Sequence, residues 1–239
     1  MRVEYCNYEL IRRHIAEALV VSGLAKETSI KHLAGDIKAL ERYLTGRDRV
    51  CGPERAERIE RHLARGKSLG RARTGSGHDC FLKGIVVTAV VSAPAYQWPQ
   101  IQRYHFQDIT TSQSKMHRIT KFDLKEMCNP EVDEIMIARV KMYVDRYNQV
   151  NDALGRALNE AENSNFIKEL QDTKDYYFRK IINNAPQGLR LAAGITTNYL
   201  QLKTQHYQRK DHKLTEWNTD FIDWLEELPY FFEYIGVER

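Results

Sequence analysis

Residues 77–119 read GHDCFLKGIVVTAVVSAPAYQWPQIQRYHFQDITTSQSKMHRI, and the fold turns on how this stretch is read. It opens at His78, enters a β-branched apolar run over residues 85–91, and turns at Pro94. Gln100, Arg103 and His105 follow closely. A hydroxyl-rich turn, Thr110-Thr111-Ser112-Gln113-Ser114, then leads into Lys115, His117 and Arg118. The valine, isoleucine and threonine content predicts a buried strand over the apolar run. Polar groups just beyond such a strand are well placed to line a ligand site. Gln100 and Arg103 would share one face if both lay on a helix. Composition alone also fits a core strand followed by a polar surface helix.

Outward from this stretch, 239 residues are enough for a full hydrophobic core. Hydrophobic content of 42% and charged content of 28% are ordinary for a globular protein. No apolar run approaches the roughly 18 residues needed to span a bilayer. The segment MRVEYCNYELIRR lacks the apolar core of a signal peptide. Cys6, Cys51, Cys80 and Cys128 lie far apart without a C-x-x-C pair, so neither a metal site nor a disulfide framework is expected. The chain therefore reads as cytoplasmic, with reduced thiols.

The net charge is +4. Basic residues gather over residues 42–73, but Glu41, Asp48, Glu54, Glu57 and Glu60 are interleaved with them. That mixture suits a solvated helix face with pairs such as Glu54 with Arg58 and Glu57 with Arg61. A nucleic-acid surface is the alternative reading of this region, although nucleic acid is not the expected partner. A phosphate-bearing small ligand also suits a mildly basic protein.

A short strand is predicted at residues 2–7 and a helix at 8–23. A second helix should start after Ser29, carry Ile30, Leu33, Ile37, Leu40 and Leu44, and stop at Gly46. Pro53 should open a third, ending at Gly66, with residues 66–77 a Gly/Ser/Arg loop lacking any phosphate-loop spacing. Asn129-Pro130 marks a turn. Helices follow over 132–154 and 166–182, with Ile135, Ile137, Val140, Met142 and Val144 as apolar positions of the first. A short extended piece at 189–193 precedes a helix to Arg209 and a last one over 216–227, stopped by Pro229. The expectation is an α+β fold, a mostly antiparallel sheet flanked by long helices. Residues 1–75 form a helical N-terminal part, and 76–239 one continuous region bearing the site.

Two blocks resemble the flavin-dependent thymidylate synthases. The first is His78, the strand, the Ala93-Pro94 turn and Gln100-Ile101-Gln102-Arg103-Tyr104-His105. It is similar to that family's histidine, strand, Ala-Pro turn and Q-x-x-R-H-R box, with matching spacing from His78 to Gln100. The family continues S-x-N-E-x-S-x-R-Y. A one-residue insertion puts Ser114 at the serine position and Met116 at the arginine; without it, Lys115 takes the arginine place and Gln113 the serine. Both registers stay open. The second block is Pro186, Thr196-Thr197-Asn198 and Arg209, similar in order and spacing to the family's proline, T-x-N and following arginine. Together the blocks cover about half the chain. The chain departs from the pattern at Tyr104 and His105, which stand for histidine and arginine, and at the acidic position, which is a serine or threonine. Ile182 stands where the family has an arginine before the proline, and helix 200–209 lacks the family's leucine pattern.

The resemblance implies FAD held beside a deoxyuridylate, with a one-carbon unit passing from methylene-tetrahydrofolate to the pyrimidine C5. NADPH would feed the flavin, whose hydride makes a covalent protein nucleophile unnecessary. It implies catalytic roles for Gln100, Arg103 and Ser114, and substrate contacts from these with Lys115 and Arg209. Flavin contacts would come from His78, Arg103, His105 and Asn198, and no metal is involved. The protein would be a homotetramer with sites built from several subunits. Such chemistry requires positioning and charge compensation, which arginine supplies through forked hydrogen bonds. Each residue also has an ordinary reading. Arg209 lies in a charged run that could be an exposed helix end, Asn198 could cap a helix, and His78 could be a loop residue. Ser112 and Ser114 suit turns, and Tyr96, Trp98 and Tyr104 suit core packing. The alternatives are a catalytically altered homologue that binds a nucleotide without turnover, and a helical nucleic-acid-binding protein.

Overall fold

The backbone alternates short strands with helices of very different lengths. A computed structural model describes residues 1–26, 30–47 and 52–236, so Ser29, Asp48 and Cys51 lie outside the described residues. The N-terminal elements are β1 (Arg2–Cys6), α1 (Tyr8–Val21), α2 (Leu33–Leu44) and α3 (Pro53–Gly70). β2 (Val86–Pro94), α4 (Trp98–Ile101), β3 (Asp108–Ser112), α5 (Lys115–Arg118) and α6 (Leu124–Met127) follow. The long helices α7 (Glu134–Asn159) and α8 (Ser164–Asn184) precede β4 (Arg190–Asn198) and α9 (Tyr199–Arg209). The chain ends in α10 (Thr215–Asn218), α11 (Asp220–Glu227) and α12 (Phe231–Ile235). The four strands form an antiparallel sheet in the order β1-β2-β4-β3, the expected α+β class.

Two compact units divide the chain, one made of Met1–Val91, Gln102–Thr111 and Gly194–Arg239, the other of Ser92–Ile101 and Ser112–Ala193. In the first, β2 buries Val87, Ala89 and Val91 and turns Val90 outward. The apolar run is thus covered on one face, as an antiparallel strand permits, rather than on both. The core continues through Ile11, Ile15 and Leu19 of α1 and Tyr199, Leu202, Trp217, Phe221 and Phe231. α3 runs on past Gly66 to Gly70. Both glycines serve close approach: a Cβ on Gly66 would collide with the Leu19 side chain, and one on Gly70 with the Tyr234 carbonyl. They admit neighbouring elements against α3 instead of ending it. α12 was not anticipated. Tyr230, at φ +58°, restarts the chain after Pro229, and Gly236 at φ +73° closes the helix.

At the centre of this unit Lys203 is 1% exposed, as is Asp79. The ammonium donates to Asp79 Oδ2 (2.8 Å) and to the carbonyls of Gly70 (2.8 Å) and Ala72 (2.7 Å). All three ammonium donors are therefore used, and two of the acceptors are carbonyls at the C-terminal end of α3 that the helix itself cannot satisfy.

In the second unit α7 and α8 form a helical hairpin, started by Asp133 and Asn163, whose side chains accept from the N–H groups of Ile135 and Asn165 (2.8 Å each). Val140 and Val144 of α7 and Ile181 of α8 join Ile119, Leu124, Cys128 and Leu189 in its core. Ile135 and Met142, expected on the apolar face, are exposed, Ile135 at 73%. The buried stripe steps through Ile137, Val140 and Val144, and Ile135 and Met142 lie off it. Asn129 closes the base: it donates to Tyr96 Oη (3.1 Å) and accepts from Arg190 (3.0 Å), whose second nitrogen reaches the Ser92 carbonyl (3.0 Å).

Replacing Lys203 by Met should cost about 3–5 kcal/mol, because Asp79 is left as an uncompensated buried charge. The double change Lys203→Met with Asp79→Leu should recover part of that loss. Urea denaturation of the two variants measures both, and equal losses would show that the pair is not coupled.

Candidate functional site

In the first unit, His78 opens a turn of 3-10 helix (His78–Gly84) and is itself exposed. The neighbouring Asp79 pins that turn to Lys203, which fixes where His78 is carried. Arg103 and His105 lie in the loop between α4 and β3. α4 stops at Ile101, which is fully buried, so Gln100 and Arg103 do not share a helix face. The loop is anchored by buried Gln107, whose side-chain oxygen accepts from the amide of Gln205 on α9. Tyr104, His105, Phe106 and Gln107 help line a cavity of about 730 Å³, and Phe106 is 65% exposed. The Arg103 side chain is exposed and makes no hydrogen bond or ion pair among the described residues.

Arg209, the last residue of α9, is held in an aromatic setting. Its Nε donates to Tyr104 Oη (2.7 Å), and its guanidinium carbon lies 4.6 Å from the Trp217 ring centroid and 5.5 Å from that of Tyr104. An arginine here is stacked and directed rather than waving from a helix end. The His212 pKa is lowered, first by burial and then by Arg209, with Glu216 opposing. Its Nδ1 accepts from the Leu214 N–H (3.1 Å), a role open to the neutral ring. Asn198 caps α9, its oxygen accepting from the Gln201 N–H (3.0 Å). Beside it, the buried Thr197 hydroxyl has no hydrogen-bond partner among the described residues.

In the second unit, Gln100 sits on α4, half-buried. Just before it, the Gln97 side chain is fully buried with neither amide atom hydrogen-bonded among the described residues. Ser114 caps α5 by accepting from the His117 N–H (3.2 Å), and Lys115 is the first residue of that helix. Gln113 belongs to the sheet: its N–H donates to the Ala192 carbonyl (2.8 Å) and its side-chain oxygen accepts from the Ala192 N–H (3.2 Å).

The structure thus gathers Tyr104 and Arg209 directly and leaves His78, Arg103 and His105 at the surface of the first unit. Gln100, Ser114 and Lys115 belong to the second. Trp217, an apolar position of the last expected helix, and Lys203 were not among the residues expected at the site. Lys203 could have been found, since Tyr199, Leu202, Lys203 and His206 fall on one helical stripe whose other members are suited to burial. Trp217 carries no such local signal. Tyr104→Phe should lower stability by about 0.5–1.5 kcal/mol by removing the acceptor of Arg209 Nε. Thermal unfolding reads this directly, and an unchanged midpoint would mean that the Tyr104 bond adds nothing to what otherwise holds the guanidinium.

No protein-family model and no curated protein matches the sequence. Solved structures do. Flavin-dependent thymidylate synthase ThyX from Helicobacter pylori, complexed with FAD and dUMP, is similar with a TM-score of 0.53 at 11% identity, covering 98% of this chain and 96% of that one. A second structure of the Helicobacter pylori enzyme with FAD and dUMP gives 0.50 at 12% identity, covering 98% and 95%. At such identities the likeness is one of fold, and it runs nearly the full length of both chains. The chain has the fold of the flavin-dependent thymidylate synthases.

Proposed function

We propose that this chain is a flavin-dependent methyltransferase acting on a pyrimidine deoxynucleotide. It would pass a one-carbon unit from methylene-tetrahydrofolate to the pyrimidine C5, converting dUMP to dTMP or making a related modification, with NADPH as reductant. The carrying observation is the likeness of fold over 98% of the chain to a protein complexed with FAD and dUMP. The order of His78, Gln100, Arg103, Asn198 and Arg209 along the sequence supports it.

The residues suit a flavin nucleotide. His105 offers a polar ring beside the exposed Phe106 on a cavity of ligand size, and Arg103 lies exposed in the same loop. The orphaned Gln97 amide and Thr197 hydroxyl are the kind of buried groups that a polar ligand satisfies. Bound FAD supplies hydride chemistry; the chain has to orient and neutralise. His78, Arg103, His105 and Asn198 would hold the flavin, and Gln100, Arg103, Ser114, Lys115 and Arg209 the nucleotide. Because Gln113 is committed to β4, the register with Ser114 at the serine position is favoured. The exposed Ile135 and Met142 of α7 suit subunit contacts in a homotetramer. We assign it to the cytoplasm; among the described residues no helix is long and apolar enough to cross a membrane. The commitment of Arg209 Nε to Tyr104 favours one second reading, a homologue that binds the nucleotide with altered or absent turnover.

Titrating the protein with FAD while following flavin fluorescence, then adding dUMP, methylene-tetrahydrofolate and NADPH, tests both readings. Flavin binding with dTMP formation supports the enzyme, and flavin and dUMP binding without product supports the altered homologue. A folded protein that binds neither FAD nor dUMP overturns both. Within that assay Arg103→Lys should weaken nucleotide binding about ten- to a hundredfold, the loss of a charge-assisted forked contact worth roughly 1.5–3 kcal/mol. The melting temperature should barely move, since the side chain is exposed. Calorimetry showing parental affinity would remove Arg103 from the site.

A further inference from the structure

The loop between α4 and β3 holds Phe106 out from the first unit. The side chain is 65% exposed, the highest figure for any aromatic residue among the described residues, and no other ring of theirs stacks on it. The local backbone explains why. The Gln107 N–H donates back to the His105 carbonyl (2.7 Å), which makes a three-residue turn with Phe106 at its apex. Side chains pin that turn on both sides. Tyr104 Oη accepts from Arg209 Nε (2.7 Å), and the buried Gln107 side chain accepts from Gln205, so both anchors lie on α9. Isolated exposed apolar side chains are ordinary on protein surfaces. This one stands at the apex of a turn tied down before and after it, so the loop cannot swing it into the core.

The ring stands at the wall of the cavity of about 730 Å³, inside the roughly 300–1,000 Å³ of small-ligand pockets. Gln102, His105 and Asp108 make the wall around it polar, and Ile109 adds a second apolar side chain. Among the described residues no lysine or arginine lines the cavity, and Arg103 of the same loop is not part of its wall. A phosphate would therefore meet the Asp108 carboxylate there without an ammonium or guanidinium to offset it. A lipid tail would leave the polar groups of the wall dry and unpaired. A flat heterocycle meets both demands, with its face on the phenyl ring and its N–H edge toward the acceptors of Asp108 and Gln102.

We propose that Phe106 is the stacking residue that seats a heteroaromatic ring of the flavin nucleotide, its isoalloxazine or its adenine, in this cavity. The inference rests on the flavin reading above and adds a residue to which the resemblance gives no role, since Phe106 lies just beyond the box that ends at His105. Stacking sets the plane of the bound ring, and hydrogen bonds at its edge set its rotation in that plane. An aromatic side chain stacks on any flat heterocycle. Ligands that carry only one of the two rings therefore tell them apart.

Titrations of FAD, riboflavin and ADP into the protein and into Phe106→Ala, Phe106→Leu and Phe106→Trp test the assignment. Phe106→Ala should weaken FAD binding about five- to a hundredfold, the worth of one aromatic stack on a heterocycle. Phe106→Trp should bind FAD as well as the parent or better, whereas Phe106→Leu, apolar but without a flat face, should stay weak. The melting temperature should hold in all three, because the ring is exposed. Riboflavin following FAD through the series, with ADP indifferent, identifies the isoalloxazine as the seated ring, and the reverse identifies the adenine. Parental FAD affinity in Phe106→Ala or Phe106→Leu overturns the proposal and leaves the flavin reading standing. A change of particle mass in light scattering that accompanies the loss in Phe106→Ala overturns it too, because Phe106 would then be a subunit contact. A parent protein that binds no FAD overturns both readings together.

Discussion

A lysine ammonium sealed from water is costly unless every proton finds an acceptor, and Lys203 finds three: the Asp79 carboxylate and the carbonyls of Gly70 and Ala72. This one group joins α9, the 3-10 turn that begins at His78, and the end of α3. Hydrophobic burial drives the first unit together, but it is tolerant of sliding. The three-way ion contact is not, since a small shift of α9 would strand a charge in apolar surroundings. Gly70 shows the same demand from the backbone side, because its carbonyl serves Lys203 while its missing Cβ admits Tyr234.

α9 is consequently more than a connector after β4. It starts on the Asn198 cap, buries Lys203 and Gln205 midway, and ends on Arg209 beneath Tyr104 and Trp217. Gln205 ties it to the loop carrying Arg103 and His105, and Lys203 ties it to the turn carrying His78. Three of the residues proposed for flavin contact are thus indexed to one helix by buried polar bonds. Buried polar bonds of this kind set register more sharply than apolar contacts do.

The elements that were legible in advance are those whose signals are local. β-branched residues and the Pro94 turn announced β2, Pro53 announced α3, and periodic apolar positions announced α1. The errors occurred where a distant neighbour decides. Gly66 looks like a helix stop and Gly70 like a loop residue until Leu19 and Tyr234 are set against them. Pro229 looks like an ending, whereas a left-handed Tyr230 begins α12 after it. β4 extends from the expected piece at 189–193 through Asn198, and Gly194 within it lets Thr110 approach and donate to its carbonyl (3.1 Å). At the candidate site the residue types and order could be read, but not the partnership of Arg209 with Tyr104 and Trp217. Tyr104 had counted as a departure from a motif and as an aromatic suited to core packing.

The pairing of Lys203 with Asp79 spans 124 positions of sequence. On a ribosome, α1, α2, α3 and β2 emerge long before α9, and the whole of the second unit is synthesised in between. Until then Asp79 has no ammonium to meet, and the carbonyls at the end of α3 have only water. The first unit therefore cannot finish during most of its own synthesis, whereas the α7–α8 hairpin, built from nearby sequence, can form as it appears. A chain terminated anywhere before α9 would hold a set of helices without their central cation. The cell would meet it as an unfinished protein open to proteolysis rather than as a shorter version of this one.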